Sequence, residues 1–236
     1  MKRTVAHEEE HRDLTGGAQR AAVFGISDGL VTNVSLILGF AGAHPAGSLV
    51  RLAGVAGMVA GAFSMAAGEY VSMQAQRELF ERELAVERRA LAEEPELERA
   101  ELIGIYRSKG IDEELASELA SVMMRNPELA LETHAREELG VDPSAIGSPW
   151  RASAISLVTF AFGALLPLLP WFFIAGNAAI VWSIVIGVIA SLAVGAMLGH
   201  FTGRSRWFSA LRQLGVAALA AAVTYGVGRA VGSSGG

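Results

Sequence analysis

Residues 152–203 contain no Asp, Glu, Lys or Arg. A run this long and this apolar restricts the chain more than any other feature, because water is a poor solvent for it. A helix needs about 20 apolar residues to cross a ~30 Å hydrocarbon core. Five segments meet that length, at about 20–43, 49–73, 152–173, 176–200 and 207–231. Lipid offers the backbone no hydrogen-bond partner, so such segments must be helical or form a closed barrel. Their length and lack of alternation select helices. Pro167 and Pro170 near the end of the third segment predict an early break or kink.

Charge is concentrated elsewhere. Residues 77–143 hold 18 acidic and nine basic side chains, a net of −9, inside a chain whose total is −5. No helix breaker follows Gly68 until Pro95, so the second membrane helix is expected to run on into this acidic block. Pro95 opens a further helix that stops before Gly110. Asp112 is a good N-cap for the next helix, and Asn126-Pro127 begins a last one that ends at Gly140. The expected fold is an all-α membrane protein of five transmembrane helices, with an acidic helical insert between helices 2 and 3. The expected divisions are a cytoplasmic N-terminal segment at 1–19, helices 1–2 within 20–76, the insert at 77–149 and helices 3–5 within 150–232. A bundle this small is expected to need a partner surface.

Lys and Arg at the helix ends set orientation. Lys2, Arg3, Arg12 and Arg20 precede the first segment, Arg77, Arg82 and Arg151 flank the insert, and Arg204, Arg206 and Arg212 surround the fourth turn. The opposite turns hold only Arg51. The N-terminus, insert and fourth turn are therefore expected in the cytoplasm. The first residues lack the apolar core of a signal peptide, so the first membrane helix is expected to act as the targeting signal. Arginine-rich composition favours a bacterial plasma membrane, with a vacuolar-type membrane as the eukaryotic counterpart.

Asp28 is the only charge in residues 21–43. A carboxylate inside a bilayer helix costs roughly 2.5–3.5 kcal/mol on insertion scales and usually marks an ion or substrate path. On the second helix Met58, Met65 and Glu69 share one face, with Met73 a turn further. Thioether and carboxylate together suit a borderline transition ion better than Mg²⁺ or Ca²⁺. The same methionines also fit ordinary packing. In the insert, Glu83 and Glu87 lie four apart, Glu94, Glu98 and Glu101 continue at four and seven, and His134 precedes Glu138 by four. Like charges at that spacing repel unless a cation sits between them. Carboxylates with one imidazole fit Fe²⁺, Mn²⁺ or Zn²⁺. A solvated face offset by Arg82, Arg88, Arg89 and Arg99 accounts for the same pattern, and Met123 and Met124 read as core. The chain has no cysteine, so thiolate sites are excluded.

Glycines recur at four-residue spacing at Gly25/Gly29, Gly57/Gly61 and Gly195/Gly199/Gly203, which permits close helix contact. GISDGL lacks the Lys-Ser/Thr of a phosphate loop. No nucleophilic triad stands out, so an enzyme is not expected. The acidic balance gives no reason to expect nucleic acid as a partner.

VFGISDGLVTNVSLILGFAGA, GAFSMAAGEYVSMQAQREL and THAREELGVDP resemble the vacuolar iron transporter family, over roughly residue 18 to the end. The resemblance implies a homodimeric, proton-coupled exporter of cytosolic Fe²⁺, with Mn²⁺ or other divalent ions possible substrates and no resident cofactor. Asp28 and Asn33 lie in SDGLVTN, and Met65 and Glu69 in SMAAGEY. With Met58 they form the expected transport path. Glu87, Glu98, Glu101 and Glu138 resemble the family's metal-binding glutamates, with Glu83 and Glu94 as neighbours. Ala90 stands where a further glutamate is expected, and His134-Ala135 near a methionine pair. The insert is then expected to bind fewer ions, or to use His134 in their place. The alternative is a membrane-anchored metal sensor or storage adaptor that moves nothing.

Overall fold

The computed structural model describes residues 17–43, 46–142 and 147–233. Every regular element among them is a helix: α1 Gly17–Gly42, α2 Gly47–Glu93, α3 Pro95–Ser108, α4 Glu113–Met123, α5 Pro127–Glu137, α6 Pro149–Leu168, α7 Pro170–Phe173, α8 Asn177–Phe201 and α9 Arg206–Ser233. The expected N-terminal segment lies outside the described residues, except for its last three. Backbone contacts group Gly17–Met73 with Ser148–Gly236 as one compact unit and place Gln74–Gly147 in another.

Helix α2 passes through that boundary unbroken. Its 47 residues span about 70 Å at 1.5 Å each, over twice the hydrocarbon thickness. Its apolar part ends near Met73 and its charged part follows. α1, α2, α6, α8 and α9 are each long and apolar enough to cross a membrane.

Small residues set the closest crossings of the membrane unit. A Cβ at Gly29 would lie 2.1 Å from the Phe160 carbonyl oxygen, and one at Gly163 would lie 2.2 Å from that of Ile26. α1 and α6 therefore meet backbone to backbone, with Gly25 one turn away against Thr159. A comparable approach joins α1 to α9, where a Cβ at Gly228 would lie 1.9 Å from the Gly39 oxygen. The four-residue rule did not single out that pair. Gly195 and Gly199 pack on Ser209 as expected, but Gly203 does not pack. It has φ +68° and ends α8, a turn role that the spacing concealed.

Replacing Gly29 by Leu is expected to cost more than the ~1–3 kcal/mol usual for overpacking, because backbone cannot yield as a side chain can. Gly215→Ala, in open space, is the control. The thermal midpoint and elution profile in detergent check both, and an unchanged Gly29→Leu midpoint would contradict the packing.

Several polar side chains in this unit donate to the backbone of a neighbouring helix, while the buried hydroxyls of Ser35, Ser156, Ser191 and Ser209 have no partner. Asn33 Nδ2 donates to the Ala164 oxygen at 2.6 Å, Thr224 to that of Ser35 at 2.8 Å and Ser153 to that of Ala66 at 2.8 Å. The proline break falls between Leu168 and Pro170. There the Ser183 hydroxyl donates to the Pro167 oxygen at 2.7 Å and accepts from the Trp171 indole at 2.9 Å. Side chains thus satisfy a backbone group at the broken ladder. Ile37, Val50, Leu168, Trp171 and Ala179 form the apolar core beneath it.

The other unit folds α3, α4 and α5 with the charged end of α2. Leu102, Tyr106, Ala116 and Ala120 make its core, and Met123 packs against them. Asp112 caps α4 by accepting from the Leu115 N–H, and Asn126 caps α5 by accepting from those of Glu128 and Leu129. Gly110, at φ +90°, turns the chain out of α3. Lys109 and Glu137 form an ion pair.

Candidate metal centre

Three helices of the acidic unit converge on His134. Glu87 comes from α2, Glu98 from the first turn of α3, and His134 and Glu138 from the end of α5. The His134 Nδ1 atom lies 3.1 Å from Glu87 Oε1, 3.6 Å from Glu98 Oε2 and 3.7 Å from Glu138 Oε2. His134 is 0% exposed and Glu87 and Glu98 are each 7% exposed, whereas Glu138 reaches solvent. Glu87, His134 and Glu138 each bring a donor atom to within 4.8 Å of the others.

None of these approaches satisfies the buried atoms. Glu87 Oε1 and both His134 nitrogens lack a hydrogen-bond partner, because the 3.1 Å contact has the wrong angles. A buried polar atom left unpaired costs about 1–3 kcal/mol. Three in one cluster are costly unless something else binds there. Carboxylate oxygens and imidazole nitrogen converging without hydrogen-bond geometry are a donor set for a divalent transition ion.

The field in the cluster is consistent with that. Burial pushes the Glu87 carboxyl up to about 7, and the nearby charges of Glu138, Glu98 and Glu101 push the same way. Burial also raises Glu98, partly offset by His134, while Glu101, Glu138 and Glu94 add to the rise. A cation would relieve this repulsion. Because Glu87 holds its proton to about pH 7 without metal, ion and proton compete. Metal affinity is expected to fall by up to about tenfold per pH unit below 7, read by titration at several pH values.

Stability of the metal-free protein should run the opposite way. The folded carboxyl titrates above its unfolded value of 4.5, so the folded state binds more protons between those values. This group's contribution is fullest below 4.5 and is lost as pH rises through 7. Glu87→Gln should flatten that slope, and an unaltered slope in denaturation midpoints would contradict it.

Burial removes the solvated-face reading for Glu87 and Glu98. It leaves that reading open for Glu94 and Glu101, which are exposed, and Glu83 is half-buried. These three stand outside the converging group. Among the membrane residues, Met58 and Met65 are half-buried against Ala62, Phe160 and Ala164, as packing side chains are. Glu69 is half-buried. Asn33 is fully buried and joins α1 to α6, with its Oδ1 left unpartnered.

Asp28 is exposed on the surface of the single chain within the span Ala21–Gly42, with Thr32 Oγ1 3.4 Å away. Next to it, the Ser27 hydroxyl accepts from Gln213 Nε2 of α9 at 2.7 Å. Gln213 was missed in the sequence, where its signal was a lone amide at the start of an Ala-rich span.

Five apolar spans and a buried carboxylate–imidazole cluster define a helical membrane protein with a candidate metal centre. The VIT family profile matches residues 19–229. Vacuolar iron transporter 1 of Oryza sativa subsp. japonica is 33% identical over 229 residues, covering 95% of this chain and 90% of that protein. The vacuolar iron transporter of Acanthamoeba castellanii is 35% identical over 227 residues, covering 93% and 82%. Vacuolar iron transporter 1 of Tulipa gesneriana is 30% identical over 228 residues, covering 96% and 92%. The chain belongs to the VIT family.

Proposed function

We propose that this protein carries Fe²⁺ across a membrane in exchange for protons, removing it from the cytosol. The observation that carries the reading is the convergence of Glu87, Glu98 and Glu138 on the buried His134, with Glu87 Oε1 and both imidazole nitrogens left unpartnered. In this reading the acidic insert lies in the cytoplasm with the N-terminus, and its negative field concentrates cations there. Glu83, Glu94 and Glu101 add to that field. The ion then passes Asp28, with Met65, Glu69, Met58 and Asn33 along the path. Protons arriving from the far side neutralise the carboxylates and release it. The curated relatives, named as iron transporters, support iron as the cargo. Mn²⁺ and Zn²⁺ fit the same donor set.

The exposure of Asp28 supports a homodimer. A carboxylate facing acyl chains is costly, and a second copy against that face would cover it and place the path between protomers. A plasma membrane in a bacterium or a vacuolar-type membrane in a eukaryote is the expected setting. The sensor or storage alternative leaves Asp28 without a role.

Ion selectivity in vesicles tests the proposal. Full-length protein should pass Fe²⁺ and Mn²⁺ and exclude Mg²⁺ and Ca²⁺, which prefer all-oxygen sites. Equal flux of Mg²⁺ would contradict the assigned donors.

A further inference from the structure

Two adjoining cavities lie at the proline break, both within the membrane unit. One, of about 440 Å³, is lined by Ser48, Arg51, Trp171 and Phe172, and extends to Phe173 and Ile174. The other, of about 250 Å³, is apolar and is lined by Leu169, Pro170, Trp182 and Ile186. Phe173 and Ile174 line both, so the two adjoin at these side chains and make a groove with a polar and an apolar end.

We propose that this groove binds one anionic phospholipid, its phosphate at Arg51 and an acyl chain along Trp182 and Ile186. Arg51 is exposed and makes no hydrogen bond or ion pair with any described residue. It is also the only Lys or Arg in 21–76. A cation at the end of a membrane helix gains from a lipid phosphate. No carboxylate is among the residues lining the polar end, so the groove offers the ammonium of a choline or ethanolamine head group no opposite formal charge beside Arg51. That selects a lipid with net negative charge.

The aromatic side chains fit an interfacial position. Trp182 is about half exposed, as in the belts where amphipathic indole rings lie near head groups, and Phe172 and the 82% exposed Phe173 add apolar surface beside it. The break itself shapes the groove. Pro170 ends α6 and turns Phe172 and Phe173 outward, while Trp171 stays buried through its bond to Ser183. This inference rests on α2, α6, α7 and α8 alone, and is independent of the transport reading.

Native mass spectrometry of delipidated full-length protein, titrated with phosphatidylglycerol or phosphatidylcholine, tests the site. One phosphatidylglycerol per chain is expected, held at least about fivefold more tightly than phosphatidylcholine. Arg51→Gln should bring the two lipids within about twofold, and Arg51→Lys should keep most of the preference. Trp182→Ala should weaken both lipids without changing their ratio. Inorganic phosphate at millimolar concentration should not displace the lipid. Equal preference in wild type and Arg51→Gln overturns the proposal. So does displacement by phosphate, which would mark a free-anion site. Failure of any lipid to bind, with the groove covered by a second copy, overturns it as well. Arg51 is exposed, so its variants should elute and melt as wild type does.

Discussion

Asp28→Asn is expected to reduce divalent-ion flux at least a hundredfold while leaving the protein folded. Asn keeps the shape of Asp and removes the charge, so it can neither attract a cation nor exchange a proton. Little structural support is lost. Thr32 Oγ1, at 3.4 Å, is a long and weak partner, and the side chain lies on the exposed face of α1. A neutral amide is also cheaper to hold in a bilayer than a carboxylate. Elution and thermal midpoint should therefore match the parent or rise slightly. Flux that survives the substitution would remove Asp28 from the path. Gln213→Ala, which frees Ser27 beside it, serves as a milder comparison and should lower flux only a few-fold.

The second large effect is expected at His134. Its imidazole is the only nitrogen donor in the cluster, and three carboxylates point at it. His134→Ala should weaken binding of Mn²⁺ or Zn²⁺ to the full chain by more than the ~10–100-fold typical of losing an outer-shell partner. The variant also leaves Glu87, Glu98 and Glu138 without the group between them, which should raise the pH at which metal binds. His134→Gln keeps the volume and separates a packing loss from a ligand loss. If Gln restores the fold but not the affinity, the ring acts as a ligand. Unchanged calorimetric titration of both variants would return the cluster to an ordinary buried polar group.

The sequence was most legible where a local rule decides the outcome. Apolar length placed the five spans, and the Asp112 and Asn126 caps fixed two helix starts. Pro167 and Pro170 located the break, although not the Ser183–Trp171 contact that satisfies it. Convergence of separate helices was less legible. Spacing of four groups Glu94, Glu98 and Glu101 on one side of α3, yet only Glu98 turns inward. Periodicity reports one helix, whereas burial depends on which neighbours close over it. The complete burial of His134 had no sequence signal for the same reason. Gly203 and Gly39 show the limit from the other side. A four-residue glycine spacing included a turn residue and passed over an α1–α9 crossing, because close approach needs a partner surface that a single helix does not contain.

Uptake of Fe²⁺ into proteoliposomes of the full-length protein, under an imposed pH gradient, tests the central claim most directly. Uptake should follow the gradient and stop when an ionophore collapses it. Well-folded protein that still binds metal but moves no Fe²⁺ would contradict transport and leave the acidic insert as a sensor or store.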